Sequence, residues 1–239
     1  MRYFIEFSYD GTKFHGFQRQ KDVKSVQDTI EKTLSSFLHE KIFIKGSGRT
    51  DAGVHAYGQT ATFGVSRKLT LDEKRKIKEL LTSDIIIHRF RQVSNTFHAR
   101  FSAKKKWYRY KINLGKFNNK YIGYYYQPRF KIDVDKLINA KDVFLGYHDF
   151  HNFVSGYRDD YHTTINSIEI SLNNNILTID FKGVAFYRYM VRNLVGALLD
   201  VSKGKVDKNA LKDMLDKKDY QKQLSTVPAD GLYLIKVYY

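Results

Sequence analysis

The chain has 239 residues, 42% of them hydrophobic, which is enough for one large folded domain or two small ones. It carries 41 Lys and Arg against 25 Asp and Glu, and this net charge of +16 favours polyanionic partners such as nucleic acid. The absence of cysteine excludes disulfides, thiolate catalysis and cysteine-based metal sites. No uncharged apolar run approaches the ~20 residues that span a bilayer, and the amino terminus is typical of a strand rather than a signal peptide. The sequence therefore predicts a cytoplasmic protein without membrane association.

Alternation and helical spacing predict the elements of the first half of the chain. Residues 3–9 alternate as a strand that ends at the turn signal Asp10-Gly11. Ser25 is predicted to cap a helix in a Ser-x-x-Asp pattern with Asp28. The buried face of that helix is formed by residues at helical spacing, namely Val26, Ile30, Leu34 and Phe37. The predicted elements that follow are strands at 41–45 and 59–65, a helix at 72–81, and strands at 85–92 and 102–114.

The second half repeats this mixture of strands and helices. The polar stretch 115–123 is the predicted boundary and divides the chain into halves of residues 1–115 and 116–239. The predicted elements beyond it are a helix at 133–145, strands at 168–172 and 177–181, helices at 186–201 and 209–215, and a strand at 231–239. Strands and helices mixed without strict βαβ alternation favour an α+β fold.

The loop from Gly46 to His55 holds a single carboxylate, Asp51, among three glycines. Glycine permits positive φ and a close approach of the backbone to a ligand, and loops on a rigid scaffold commonly carry catalytic groups. In so basic a chain, a reactive carboxylate indicates chemistry on nucleic acid. Taken as residue types alone, the pattern favours an ordinary loop in which Asp51 forms an Asx-turn or caps a helix.

Six blocks of sequence, in order along the chain, resemble the TruA family of tRNA pseudouridine synthases. The most specific is Gly48-Arg49-Thr50-Asp51-Ala52-Gly53-Val54-His55-Ala56 followed by Gly58-Gln59. The other five are Tyr9-Asp10-Gly11-Thr12 with Gly16-Phe17-Gln18-Arg19-Gln20, Ser25-Val26-Gln27, Phe97-His98-Ala99-Arg100-Phe101-Ser102-Ala103 leading into Tyr108-Arg109-Tyr110, Phe186 with Met190-Val191-Arg192-Asn193-Leu194-Val195-Gly196, and Pro228-Ala229 with Gly231-Leu232-Tyr233-Leu234. Two departures are small, because Lys106 and Tyr189 stand where the family often has Arg and His.

The resemblance implies two RRM-like (ferredoxin-like) α/β halves with joined antiparallel sheets and a central basic cleft. It also implies a homodimer that binds tRNA and isomerises uridine to pseudouridine at positions 38, 39 and 40 of the anticodon stem-loop. That reaction breaks the C1′–N1 bond, rotates the freed uracil and rejoins it through C5, so neither a cofactor nor a metal is expected. The target base must be flipped out of its stack.

The same resemblance assigns roles to two catalytic residues. Asp51 is expected to act as nucleophile or base, at either the sugar or the uracil. Arg192 is expected to keep that carboxylate ionised by pairing with it, which offsets the desolvation cost of burial. On sequence alone, a phosphate contact or a surface charge is the stronger interpretation of Arg192.

Three further residues are expected to bind the substrate. Tyr108 would stack on the extruded uracil from a half-exposed position, with a core tyrosine as the alternative. Arg49 would fill the space left by the flipped base, with a structural salt bridge as an equal alternative. Arg188, predicted to lie one turn before Arg192 on the same helix face, would bind the RNA backbone.

The histidines are not predicted to be catalytic. His55 is expected to order its loop as a hydrogen-bond donor, while His98 and Arg100 are ambiguous. Three others lie within fifteen residues of one another but lack partner cysteines and a His-x-x-x-His spacing, so scattered loop histidines are predicted rather than a metal site. These are His148, His151 and His162.

Two other functions fit parts of the pattern. A non-catalytic RNA-binding module would use the charge and the aromatic residues, and Asp51→Ala would leave its function intact. An aspartate-dependent glycosidase or nucleotide hydrolase would need a second carboxylate at a defined separation, and no second acid stands out in these motifs.

Overall fold

The computed structural model describes residues 1–81, 84–217 and 224–239. The chain forms two compact units, Met1–Lys104 with Tyr233–Tyr239, and Lys105–Leu232. The first unit ends at Lys104 rather than at the predicted residue 115, because residues 106–113 pair with residues 176–183 of the second unit. The final strand also returns to the first unit. A return of this kind depends on long-range contacts, which local composition does not report.

The helices and strands follow one another in a mixed order. In the first part of the chain they are β1 (Arg2–Tyr9), α1 (Val26–Leu38), β2 (Ile44–Gly46), β3 (His55–Gly64), α2 (Leu71–Leu81) and β4 (Ile85–Val93). In the second part they are β5 (Lys105–Asn113), α3 (Val134–Ala140), β6 (Gly146–Asp149), β7 (His162–Asn173), β8 (Ile176–Gly183), α4 (Met190–Ser202), α5 (Lys208–Asp216) and β9 (Leu232–Tyr238).

The first unit is built on a sheet with the strand order β4-β1-β3-β9, and β2 also pairs with β3. All of these pairs are antiparallel except β3 with β9, where His55 lies opposite Tyr233 and Ala56 opposite Leu234. The Oγ of Ser25 accepts a hydrogen bond from the backbone N–H of Asp28 at 3.2 Å, so the predicted cap of α1 is confirmed. Three of the four residues predicted on the buried face of α1 are buried, namely Val26, Ile30 and Leu34.

The second unit has an antiparallel sheet in the order β5-β8-β7-β6. Helix α4 is its central helix, and every residue of that helix except Arg192 is buried. Both units therefore combine helices with mainly antiparallel sheets, and the predicted α+β class is confirmed. Among the residues that the structure describes, no helix is long and apolar enough to cross a membrane.

Several element boundaries were wrong, and backbone geometry explains one of these errors. The helix predicted at 186–201 begins only at Met190, because Tyr189 adopts a left-handed φ of 62° that a helix cannot continue through. The helix predicted at 133–145 ends at Ala140 and continues as a 3₁₀ turn, Lys141–Phe144. The strand predicted at 59–65 begins earlier, at His55, directly after the glycine-rich loop.

Candidate active site

The loop that carries Asp51 comprises residues 47–54, between β2 and β3, and is called the Asp51 loop below. Its beginning is attached to β3 by the buried side chain of Gln59. The Oε1 of Gln59 accepts hydrogen bonds from the Ser47 hydroxyl at 2.8 Å and the Thr60 N–H at 3.0 Å. Its Nε2 donates to the carbonyl of Gly48 at 3.1 Å. One buried amide thus fixes the first turn of the loop.

The residue before Asp51 is held from two sides. The hydroxyls of Thr50 and Tyr9 share a buried hydrogen bond of 2.8 Å. The carbonyl of Thr50 accepts from the N–H of Phe17 at 3.0 Å. The Thr50 backbone therefore has little freedom to move, and the direction in which the chain enters Asp51 is fixed.

The residues after Asp51 form a tight turn. The N–H of Val54 donates to the carbonyl of Asp51 at 3.2 Å, and Gly53 has a φ of 82°, which its missing Cβ permits. A Cβ on Gly11 would lie 2.4 Å from the carbonyl oxygen of Val54, and one on Gly16 would lie 2.9 Å from that of Thr50. The segment after β1 therefore packs directly on the turn, and these two contacts account for the glycines of the opening motif.

His55 helps to order the loop, although its Nδ1 accepts a hydrogen bond where the sequence predicts a donor. Its ring is 2% exposed, and its Nδ1 accepts a hydrogen bond from the backbone N–H of Gly11 at 3.0 Å. The ring also stacks on that of Tyr233, with centroids 4.5 Å apart. An Nδ1 that accepts from a backbone N–H carries no proton of its own, which agrees with a structural role.

The two functional candidates of this loop differ in exposure. Asp51 is half-buried, whereas Arg49 is exposed. The salt-bridge alternative for Arg49 finds no support, because no carboxylate within residues 1–81, 84–217 and 224–239 forms an ion pair with it. The loop thus presents a fixed carboxylate and, two residues before it, a cation that is accessible to a ligand.

We expect Tyr9→Phe to weaken the fold by about 1–2 kcal/mol, because it leaves the buried Thr50 hydroxyl without its partner. Burial raises the pKa of Tyr9 from 10.0 to about 12. Because the pKa of Tyr9 is higher in the folded than in the unfolded state, its neutral hydroxyl makes its full contribution to the free energy of unfolding below pH 10. That contribution is lost as the pH rises toward 12. Urea unfolding should therefore show a difference between wild type and Tyr9→Phe that is about 1 kcal/mol smaller at pH 11 than at pH 8.

Tyr157→Phe is the control for that comparison, because Tyr157 is 89% exposed and should change stability little at either pH. An unchanged difference between wild type and Tyr9→Phe at the two pH values would contradict the assigned environment of Tyr9.

In the second unit, Arg192 lies on the buried helix α4, and two contacts fix its side chain. Its Nε donates to the carbonyl of Val227 at 2.8 Å, and its guanidinium carbon lies 4.5 Å from the ring centroid of Tyr189. Arg192 is half-buried, so the surface-charge interpretation does not describe it well. The aromatic contact and the hydrogen bond together fix the plane in which the rigid guanidinium fork lies.

The segment that fixes Arg192 is called the strap and comprises residues 225–227. The backbone N–H and hydroxyl of Ser225 donate to the carboxylate of Asp200 at 2.9 and 2.8 Å. The Thr226 hydroxyl donates to the Oδ1 of Asn193 at 2.7 Å. A Cβ on Gly196 would lie 1.6 Å from the carbonyl oxygen of Ser225. The strap therefore lies directly on the glycine of α4.

Arg188 is not on the same helix face as Arg192, and that prediction was wrong. It lies before α4, because the left-handed Tyr189 separates it from the helix. Its carbonyl accepts from the N–H of Ser155 at 3.0 Å, while its side chain is exposed. An exposed guanidinium at a fixed backbone position is suited to an RNA phosphate.

Tyr108 lies on β5 and is 7% exposed, so it is not half-exposed as predicted. Its ring packs edge-on against Phe186 with centroids 5.2 Å apart, and it pairs with Phe181 across the β5–β8 ladder. Lys106 of the same strand is equally buried, at 8%. Residues two positions apart on a strand lie on the same face, so Lys106 and Tyr108 are buried together. The lysine run therefore does not indicate exposure here.

The three clustered histidines make separate contacts, but His148 lies on β6 and His162 on β7, so the prediction that all three are loop residues was wrong. Nε2 of His148 lies 2.7 Å from the carbonyl of Leu145, and Nδ1 of His162 lies 2.7 Å from the carboxylate of Asp160. The ring of His151 packs on Tyr161. Within the described part of the chain, no group of three acidic or histidine side chains could hold a metal ion.

Four supporting residues were missed as such by the sequence reasoning. Tyr9 and Gln59 stand inside recognised motifs, but their hydrogen bonds to the Asp51 loop depend on the fold. Asp200 and Ser225 lie outside the motifs. The signal that distinguishes Asp200 is its burial, at 1% exposure, and burial of a single aspartate cannot be read from a sequence.

Comparisons with known proteins show the family to which the chain belongs. A family model described as tRNA pseudouridine synthase matches residues 6–102 and 140–239. The chain is 37% identical to "tRNA pseudouridine synthase A" of Finegoldia magna, over 98% of each chain. It is 39% identical to the protein of that name in Lactobacillus helveticus, over 100% of this chain and 94% of the other.

A solved structure described as "Crystal structure of the archaeal box H/ACA sRNP Nop10-Cbf5 complex" is similar over 82% of this chain and 43% of the other, with 12% identity and a TM-score of 0.39. A likeness at that level supports no assignment, whereas the relatives at more than a third identity span the motif around Asp51 and the helix of Arg192. The chain therefore belongs to the tRNA pseudouridine synthase family.

Proposed function

We propose that this protein isomerises uridine to pseudouridine in tRNA and that the carboxylate of Asp51 carries the reaction. The observation that supports this most strongly is the construction of the Asp51 loop. Buried hydrogen bonds hold Thr50 before Asp51 and His55 after it, while Asp51 itself stays half-buried. Such preorganisation is what a reacting group needs and what a loop without chemistry does not.

The reaction conserves all atoms of the uridine. The C1′–N1 bond breaks, a C5–C1′ bond forms, C5 gives up its proton and N1 gains one. The carboxylate of Asp51 would act as nucleophile or as base, at the sugar or at C6 of the uracil. Both pathways need an ionised carboxylate within reach of the flipped nucleoside.

The proposal extends to the position of the target. We propose uridines 38, 39 and 40 of the anticodon stem-loop as the sites, reached by flipping the base out of its stack. The exposed guanidinium of Arg49 is suited to fill the vacated space. Its exposure and its place two residues before Asp51 support this role.

We further propose that Arg192 acts together with Asp51 and that Arg188 contacts the RNA backbone. The support is the fork of Arg192, which the strap and Tyr189 hold in one orientation. Tyr108 stays a candidate for contact with the uracil, through the small part of it that is accessible. The RRM-like description of the halves, their joined sheets and central cleft, the homodimer and the cytoplasmic location also stay predictions.

The test uses tRNA transcripts that carry tritium at uridine C5, since rearrangement releases that tritium to water. We expect release from a transcript with uridines at 38, 39 and 40 and none from one in which these three are cytidines. Undiminished release from the substituted transcript would contradict the proposed positions but not the reaction. No release from either, under conditions of tight binding, would favour a non-catalytic RNA-binding protein.

A further inference from the structure

The positive charge of this protein is concentrated in one part of the sequence. Residues 85–132 contain twelve Lys and Arg and no Asp or Glu, so this fifth of the chain supplies twelve of the sixteen net charges. A region without any acid has no internal partners for its cations. Its exposed side chains are therefore suited to phosphates.

Within that region, residues 97–102 form a turn between β4 and β5 that is anchored to the first unit. The ring of Phe97 packs against those of Phe4 and Tyr239, with centroids 5.7 and 5.1 Å apart. Ala99 is completely buried, and its carbonyl accepts from the Tyr239 hydroxyl at 2.8 Å. The Arg2 side chain donates to the carbonyl of Phe97 at 2.9 Å. The base of the turn is thus fixed at three points.

The tip of the turn is organised by His98. Its Nδ1 accepts from the backbone N–H of Arg100 at 3.1 Å and lies 3.4 Å from that of Phe101. The Ser102 hydroxyl accepts from the N–H of His98, and the Ser102 N–H donates to the His98 carbonyl. Burial, with the nearby charges of Lys45, Arg2 and Arg100, lowers the pKa of His98. The ring stays neutral and Nδ1 stays an acceptor, so the turn keeps its shape.

The result of this construction is that Arg100 and Phe101 point outward side by side. Phe101 is 77% exposed, with the Arg100 guanidinium carbon 5.6 Å from its ring centroid and the His98 ring at 4.5 Å. Single exposed apolar side chains are common on proteins. This one differs because a turn held by several hydrogen bonds presents it among cations, and no acid of residues 85–132 offsets their charge.

We propose that the turn 97–102 is an RNA contact separate from the Asp51 loop, in which Phe101 stacks on an unpaired base and Arg100 binds an adjacent phosphate. Aromatic rings beside cations are the usual platform for unpaired nucleotides, and stacking tolerates any base. Lys45 is near enough to His98 to lower the pKa of its ring, so it adds positive charge near the turn. The inference rests on the proposed function in one respect, namely that tRNA is the ligand.

The test measures equilibrium binding of tRNA by wild type and by Phe101→Ala, Phe101→Leu and Phe101→Tyr. Leucine keeps the apolar bulk without the aromatic face, whereas tyrosine keeps the face. We expect the Ala and Leu variants to bind roughly 5- to 100-fold more weakly and the Tyr variant to bind within about twofold of wild type. Leu71→Ala is the control, because Leu71 is 83% exposed on α2 in the same unit.

Tight binding by Phe101→Leu, equal to that of wild type, would overturn the stacking contact even if the Ala variant failed to fold. A loss of binding that follows a change in the sedimentation of the free protein would assign Phe101 to a protein–protein interface and would also overturn it. Failure of wild type to bind tRNA would instead reject the proposed function, so the two failures are distinguishable.

Discussion

Asp51→Asn is expected to lower kcat by roughly 10⁴-fold or more while the protein stays folded. Asparagine has the shape of aspartate but is neither a nucleophile nor a base at neutral pH. The hydrogen bonds that shape the loop are made by Thr50, Gln59 and the backbone carbonyl of Asp51, none of which the substitution removes. Initial rates of tritium release at saturating tRNA, together with thermal unfolding, measure the two effects separately.

Asp72→Asn is the matched control for this loss, because that carboxylate lies exposed on α2 and its replacement should leave kcat unchanged.

The same assay tests the role of Arg192. If Arg192 acts together with Asp51, the double variant Asp51→Asn/Arg192→Gln should be no slower than Asp51→Asn alone. Losses that multiply would mean that Arg192 contributes elsewhere. A kcat for Asp51→Asn within tenfold of wild type would refute the role of the carboxylate.

Gly196→Ala is expected to destabilise the second unit by about 3 kcal/mol or more. The added Cβ would lie 1.6 Å from the carbonyl oxygen of Ser225, a distance that no pair of non-bonded atoms can keep. The strap must therefore move away from α4, and Asp200, 1% exposed, then loses the two hydrogen bonds from Ser225. At about 2–4 °C per kcal/mol, the melting temperature should fall by roughly 6–12 °C.

Gly64→Ala provides the comparison, since a Cβ there would meet nothing closer than 3.9 Å. That variant should unfold within about 0.5 kcal/mol of wild type. If Gly196→Ala were as stable as Gly64→Ala, the close crossing of strap and helix would be wrong.

Local patterns in the sequence were sufficient for elements whose signals are local. The cap at Ser25 was predicted because a hydroxyl and an N–H three residues apart interact within a single helical turn. Glycines, a carboxylate and a cation within ten residues singled out the Asp51 loop, but as residue types they favoured an ordinary loop. Family resemblance then gave the activity, which residue types alone did not.

Features that depend on contacts between distant residues were beyond such patterns. The left-handed backbone of Tyr189 removes Arg188 from α4, although the apolar spacing continues through both residues. Tyr108 is buried by its neighbours across the sheet, while the adjacent lysines suggested exposure. The strap on Gly196 involves residues some thirty positions apart, and helical spacing gives no sign of a crossing segment.

Nucleoside analysis distinguishes the rearrangement of uridine through Asp51 from other reactions of the same nucleotide. Transfer RNA is incubated with wild type or Asp51→Asn and then digested completely, and uridine, pseudouridine and free uracil are quantified. We expect pseudouridine to appear with wild type in an amount equal to the uridine lost, with no free uracil, and none to form with Asp51→Asn. Free uracil in place of pseudouridine would identify a glycosidase, and equal pseudouridine from both proteins would contradict the role of Asp51.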